Sequence, residues 1–145
     1  MLYGKSGKDN TVKTLALYFS YAGHTRNIAE AEAAESGADI AKIKTARRLG
    51  MFRGILKAML GKTTKIQPLT VNLSDYDTIK LYSPIWAGNP HAAANAALAL
   101  LPSGKNIEIA VVSSSGTSKC RERIAGIVKA KGCTLTGFRD IKASS

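Results

Sequence analysis

Long apolar runs and paired cysteines are both missing from this 145-residue sequence. No stretch approaches the roughly 20 consecutive apolar residues that a membrane-spanning helix needs. The first ten residues also lack the apolar middle section of a signal peptide. Cys120 and Cys133 have neither C-x-x-C spacing nor neighbouring histidines, which argues against a redox pair and a zinc site. We therefore expect a cytoplasmic protein with free thiols and no membrane span.

Acidic residues are few as well. Ten Asp and Glu stand against 21 Lys and Arg, giving a net charge of +11 that favours anionic partners. The length and the 45% hydrophobic content fit one domain with an ordinary core. Residues 1–12 are polar and show no period, so we predict a flexible lead-in there and a single domain over residues 13–145.

What the sequence does contain is a regular alternation of apolar runs and helical patterns. The short apolar runs are typical of strands buried on both faces of a parallel sheet. Such an alternation predicts a doubly wound α/β sandwich with right-handed crossovers. The predicted strands are 14–19, 38–44, 78–83, 107–112 and 133–141, and the predicted helices are 25–35, 47–60, 92–101 and 118–131.

Ligands of such sheets bind beyond the carboxyl ends of the strands, which here are followed by loops 20–25, 83–90 and 113–118. The first loop offers two hydroxyls, a glycine and the free N–H groups of a helix start. Together these can hold a phosphate without a lysine. Alternatively, Ser20 and Thr25 only cap the helix.

The segment from Tyr18 to Glu30 resembles the phosphate loop and following helix of the flavodoxins. Ser20, Gly23 and Thr25 match that family's pattern, roughly [ST]-x-[TSN]-G-x-T. Ala22 lacks the third hydroxyl, and His24 stands where Asn is more usual. The resemblance implies that the FMN phosphate is held by Ser20, Tyr21, Ala22, Gly23, His24 and Thr25.

The other two loops are similar to the family's flavin-contacting loops. The resemblance implies that the flavin ring is flanked by Pro84, Ile85, Trp86, Ala87 and Gly88, although a Trp is more commonly a core residue. It also implies that the pyrimidine edge meets Ser113, Ser114, Ser115 and Gly116, although a plain turn fits that loop too. The third loop has no aromatic residue to stack on the ring, so one ring face is expected to be open to a second substrate.

The resemblance predicts a flavodoxin-like five-stranded parallel sheet in the order 2-1-3-4-5. Family members usually add a helix after the last strand, and none is predicted in the residues that follow Ile141 here. A sheet face without that helix would leave apolar surface bare. Because large bare patches usually mark interfaces, we predict a homodimer.

Residues 42–65 hold eight basic side chains and no acidic one. Apolar residues recur in this segment at helical spacing, which predicts an amphipathic crossover helix over 47–60. A membrane-surface or nucleic-acid contact is the sharper alternative, with nucleic acid the less favoured.

The preferred function is an FMN-binding flavoprotein that transfers electrons or reduces a small acceptor, with no side chain assigned as general acid or base. Its redox partner, a protein or a small molecule, should be anionic. The alternative is a flavodoxin-fold module without flavin, which binds anions through Arg47, Arg48, Arg53 and Lys57.

Overall fold

The computed structural model describes residues 12–46, 53, 56, 57, 60 and 62–143. The predicted lead-in, apart from Val12, lies outside these residues. The described strands are β1 (Thr14–Tyr18), β2 (Asp39–Lys42), β3 (Thr78–Trp86), β4 (Asn89–Pro90), β5 (Asn106–Ser113) and β6 (Thr134–Lys142). The helices that can be bounded are α1 (His24–Ser36), α2 (Ala92–Ala99) and α3 (Arg121–Ala130), with a short 3-10 turn at Leu73–Asp75.

Five strands form a parallel sheet in the order β2-β1-β3-β5-β6. The two-residue β4 stands off this path and pairs with β3. With β4 set aside, this is the predicted order 2-1-3-4-5, so the predicted fold class is confirmed. The register aligns Leu17, Leu81, Ile109 and Phe138 across four strands.

Alternate side chains of the strands serve two cores. One face packs Leu17, Leu81 and Ile109 against alanines of α2 and against Ile124 and Val128 of α3. The other face carries smaller residues, such as Ala16 and Ala110, which lie against Ala29 and Ala33 of α1. Small side chains allow α1 to lie close to the sheet, and its first turn is thereby fixed beside the end of β1.

The sequence predicts a loop over residues 83–90. The structure instead has the end of a strand and a hairpin there. β3 continues to Trp86, and β4 pairs back with it through Ile85 with Pro90 and Trp86 with Asn89. Ala87 and Gly88 join the two strands with φ values of 52° and 88°. Positive φ at both central residues is what type I′ hairpin turns require. Trp86 therefore sits on hydrogen-bonded backbone.

The sheet face beside α1 is charged where the dimer prediction assumes bare apolar surface. Lys80 on β3 lies 3.9 Å from Glu108 on β5. Arg139 on β6 donates two hydrogen bonds to Glu32 of α1, at 2.6 and 3.1 Å. These ionic side chains occupy part of that face, alongside the partly exposed Ile40 and Ile141, so the face is not a continuous apolar patch and the homodimer stays a prediction.

Only part of the predicted helix 47–60 is described. Residues 53, 56 and 57 are helical, whereas Arg47 and Arg48 lie outside the described residues. The pattern places Leu56 and Leu60 on the sheet-facing side, yet their exposed fractions are 44% and 58%. For these two leucines the predicted burial is wrong.

Both cysteines are free thiols, as predicted. Cys133 donates its S–H to the Pro102 carbonyl at 3.0 Å. In the described part of the chain, no helix has the length and the apolar character needed to cross a membrane.

Candidate functional site

A cleft of 460 Å³ opens at the carboxyl ends of β1, β3 and β5. Eleven of the predicted site residues line it: Ser20, Tyr21, Ala22, His24, Thr25, Pro84, Ile85, Trp86, Ala87, Ser113 and Ser114. Val112 and Ala143 also line it and were not predicted. Four predicted site residues are not among those that line it and lie in the turns beside it: Gly23, Gly88, Ser115 and Gly116. The three predicted segments thus meet at one place.

The turn before α1 leaves the start of that helix available to a ligand. Gly23 is the N-cap, with φ of 106°, and provides no side chain to accept from the first turn. Ser20 Oγ accepts instead from the Gly23 N–H at 3.0 Å, which closes the turn ahead of the helix. Ser20 therefore does not cap the first turn of α1. Thr25 is only 2% exposed, yet it lines the cleft. An uncapped helix start of this kind favours a bound anion.

Trp86 and Tyr21 form an aromatic wall of the cleft. Their ring centroids are 4.9 Å apart at an interplanar angle of 70°, an edge-to-face contact. Trp86 is half-buried, because its other neighbour is the His91 ring at 4.6 Å and 80°. The indole thus has neither the core position nor the open loop position that the sequence left open. The indole contacts the His91 ring on one side and lines the cleft on another.

Polar contacts from two helices fix the hairpin that carries Trp86. Arg123 of α3 donates to Asn89 Oδ1 at 3.0 Å and to Asn95 Oδ1 at 3.2 Å. Asn95 of α2 in turn donates to the Pro90 carbonyl at 3.2 Å. The hairpin is therefore tied to the body of the domain, and the indole is held in place before any ligand arrives.

The loop after β5 is shaped by its own hydroxyls. Ser113 Oγ accepts from the Gly116 N–H at 3.0 Å, and Ser115 contacts Thr117, so these groups bond within the loop. Gly116 has φ of 76°, and a Cβ there would lie 3.0 Å from the Lys142 Cβ. Only a glycine fits this approach easily. Gly116 thus acts on backbone shape, while Ser114 faces the cleft.

Ala143 and Val112 could have been found from strand geometry. Ala143 donates its N–H to the Ser113 carbonyl at 2.8 Å and so extends β6 alongside the loop. Parallel strands end at the same edge of a sheet, so the residues closing β5 and β6 belong beside the three loops. The prediction considered only segments that follow the first, third and fourth predicted strands.

His91 is a buried residue near this site for which the sequence carried no signal. Its Nδ1 accepts from the Ala93 N–H at 3.0 Å and caps α2, and its ring stacks on Phe19 at 4.1 Å. Burial lowers the pKa of His91 to about 4, so the ring is neutral. With Nδ1 as acceptor, the ring hydrogen is on Nε2, which is buried and has no hydrogen-bond partner among the described residues.

The chemistry available in the cleft is binding chemistry. A helix start suited to an anion, an aromatic wall and a serine-bearing loop surround it. Among the described residues, no group of three or more His, Cys, Asp and Glu side chains is arranged to hold a metal ion. The geometry matches a flat ligand with a phosphate at one end.

Solved structures of other proteins share this fold. A flavoprotein from Lactobacillus acidophilus NCFM, in complex with FMN, superposes with a TM-score of 0.73 at 23% identity, over 90% of this chain and 94% of that one. The fold is flavodoxin-like. Oxidised flavodoxin 2 from Bacillus cereus gives a TM-score of 0.56 at 16% identity, over 91% and 85% of the two chains. Flavodoxin 1 from the same organism gives 0.55 at 17%, over 92% and 86%.

No family model and no curated protein sequence matches this chain. At these identities, the similarity to the solved structures establishes the flavodoxin-like fold and its strand order.

Proposed function

We propose that this flavodoxin-like protein binds FMN in the 460 Å³ cleft and uses it to transfer electrons or to reduce a small acceptor. One observation carries the proposal: the uncapped start of α1 and the braced Trp86 indole border the same cleft. The solved flavoprotein of the same fold from Lactobacillus acidophilus, which is in complex with FMN, supports this choice of ligand.

The residues fit FMN in size and in chemistry. The volume lies within the range of about 300–1,000 Å³ that is typical of small-molecule sites. Main-chain N–H groups at the start of α1, with the Thr25 hydroxyl, would bind the phosphate. Trp86 and Tyr21 would lie against the flavin ring, and Ser113 and Ser114 would meet its polar edge. When bound, FMN supplies the electron chemistry, and the protein provides orientation and electrostatics.

The proposed electron partner is anionic. The net charge of +11 attracts anions, and the loop 113–118 has no aromatic residue to cover the outer face of a bound ring. That face would then admit a small acceptor or the edge of a partner protein. No side chain is given an acid or base role, because none is needed for outer-face electron transfer.

The test is a titration of the protein with FMN and, in parallel, with riboflavin, followed by quenching of flavin fluorescence. Riboflavin has the ring but not the phosphate, so we expect it to bind at least about tenfold more weakly, as for the loss of charge-assisted hydrogen bonds. Thr25→Val should weaken FMN about tenfold and leave riboflavin unchanged. Trp86→Leu should weaken both ligands.

Two results would overturn the proposal. One is the absence of any quenching at FMN concentrations well above that of the protein. The other is equal affinity for FMN and riboflavin, because the α1 start would then have no part in binding. Thr63→Val, at an exposed threonine outside the cleft, serves as the matched control and should bind both ligands like the wild type.

A further inference from the structure

A second cleft, of 370 Å³, lies on the β2 side of the loop that follows β1. Ser20 and Tyr21 line both clefts and form the wall between them. Lys42, Lys44 and Gln67 also line the second cleft, and His91 is part of its lining although the ring is completely buried. None of the described residues that line it is acidic.

The geometry of His91 leaves a hydrogen-bond donor without a partner in this place. Nδ1 is directed at the first turn of α2, where it accepts from the Ala93 N–H. The two nitrogens point away from each other across an imidazole ring, so the Nε2–H is directed away from α2. Stacking on Phe19 and the edge contact with Trp86 fix the ring in this orientation. A buried donor left unpaired is costly, and such groups need an explanation.

The rim of the second cleft is positively charged and its backbone is well supported. Thr45 forms an isolated antiparallel bridge with Ile66, and the Gln67 N–H donates to the Lys44 carbonyl at 2.7 Å. Within the part of the chain that the structure describes, neither Lys42 nor Lys44 forms an ion pair. Two ammonium groups without an ion pair, and the His91 ring with its buried Nε2–H, therefore line one cavity, and none of the described residues that line it is acidic.

We propose that the second cleft binds the carboxylate or phosphate group of a small organic anion, with Lys42 and Lys44 at its rim and the His91 Nε2–H at its floor. An oxyanion is the ligand that matches these donors, because it accepts hydrogen bonds from both nitrogen types and is attracted by the lysines. The site does not depend on FMN. If FMN binds as proposed, the anion would sit beside it, across the wall formed by Ser20 and Tyr21.

The direct test follows the His91 Nε2–H signal by proton–nitrogen NMR during titration with inorganic phosphate and, separately, with succinate. We expect a saturable shift of that signal with at least one of them, and the responding arm identifies phosphate or carboxylate as the preferred group. No shift with either anion at millimolar concentrations would overturn the proposal.

Charge variants give an independent measurement that does not require changing the buried ring. Lys42→Gln/Lys44→Gln should weaken the binding of the responding anion by about tenfold or more, as expected for lost charge-assisted contacts. Lys129→Gln/Lys131→Gln removes the same charge near the end of α3 and should leave binding within about twofold of the wild type. Equal weakening in both pairs would show only a general charge effect and would overturn the site.

A last experiment separates this cleft from the flavin cleft. The titration is repeated on protein saturated with FMN, where the His91 shift should persist. Loss of the shift would mean that the anion binds at the start of α1, which contradicts the proposal. If instead the protein takes up no FMN, the function proposed above fails, whereas the His91 titration of the ligand-free protein still decides the second cleft.

Discussion

Gly23 adopts a φ of 106°, which side chains other than hydrogen disfavour. Among the described residues, a Cβ at this position would meet the Arg26 Nη2 alone, at 3.9 Å, so space is not the difficulty. We expect Gly23→Ala to lower the free energy of unfolding by about 1–2 kcal/mol through backbone strain alone. Urea denaturation followed by circular dichroism measures this change.

Gly126 provides the matched control because it is a helical glycine of α3, and a Cβ built there meets no described residue within 4 Å outside its own stretch of helix. Alanine is the better helix former, so Gly126→Ala should stabilise the protein by about 0.5–1 kcal/mol. The same substitution should thus have opposite signs at the two sites. A Gly23→Ala protein as stable as the wild type would show that the turn does not require a glycine.

His91 makes the stability depend on pH. Its pKa is about 4 in the folded protein because of burial, against about 6.5 in the unfolded chain. Between these values the unfolded chain binds the extra proton, so the stabilisation is fully present above pH 6.5 and is lost as pH falls towards 4. The linkage is worth about 3 kcal/mol.

Denaturation curves between pH 7.5 and 4 measure this loss, and variants isolate the part due to His91. His91→Asn keeps an N-cap acceptor for α2 and should remove that part of the pH dependence. His24 is the chain's other histidine and is exposed. His24→Gln should leave the pH dependence of stability unchanged. Parallel pH profiles for the wild type and His91→Asn would contradict the assignment.

Eleven of the residues predicted for the site line the main cleft, and their role there stays a prediction, whereas the sequence did not point to His91 at all. A loop glycine, a helix-start threonine and an isolated tryptophan each follow a predicted strand, so their neighbourhood follows from topology. The role of His91 depends on tertiary packing between Phe19 and Trp86, two residues far apart in sequence. No local pattern encodes that contact.

At the scale of the elements, hydrogen bonds to Glu32 connect α1 to the sheet. Its carboxylate accepts from the Arg139 guanidinium and, at 2.7 Å, from the Tyr82 hydroxyl. The hydrogen bond from Arg139 lowers the pKa of Glu32, so the tie is complete at neutral pH. Burial and the hydrogen bond to Glu32 raise the pKa of Tyr82, so its hydroxyl stays a donor.

We expect Glu32→Gln and Glu32→Ala to differ in stability at pH 7. Glutamine keeps an acceptor for Tyr82 and loses only a half-exposed ion pair, which costs less than about 1 kcal/mol. Alanine leaves the buried Tyr82 hydroxyl unpaired, which costs about 1–3 kcal/mol. Chemical denaturation of both variants measures the difference.

Glu35→Ala, at an exposed position of the same helix, controls for the change in α1 itself and should be close to neutral. If Glu32→Ala is no less stable than Glu32→Gln, then the hydrogen bond from Tyr82 does not contribute to the tie.

The sequence predicted every strand of the parallel sheet, because each contains a short apolar run, and the helices α1, α2 and α3, because each has a glycine or proline shortly after it. It did not predict β4. The Pro84 and Pro90 that flank the hairpin argue against strands, and Ala87-Gly88 is not one of the dipeptides that usually mark a tight hairpin. Contacts from Arg123 and Asn95 fix this segment, and these contacts exist only in the folded chain.

On the scale of the whole molecule, two pairs of lysines lie at opposite ends of the strands. Lys42 ends β2 and Lys44 follows it, so both lie at the carboxyl end of the sheet, where both clefts lie. Lys129 and Lys131 lie at the opposite edge, because the Gly132 carbonyl accepts from the N–H of Gly104, just ahead of β5. The two lysine pairs carry equal charge at different distances from the proposed flavin.

Reduction of bound FMN adds negative charge, which nearby cations favour, so the midpoint potential should depend on which lysines are removed. Lys42→Gln/Lys44→Gln should lower it by about 20–40 mV, equivalent to about 0.5–1 kcal/mol for one electron. Lys129→Gln/Lys131→Gln should shift it much less, and added salt should reduce both shifts by screening. Spectroelectrochemistry at low and high salt measures these values. Equal shifts for the two pairs would mean that net charge, and not its position beside the cleft, sets the potential.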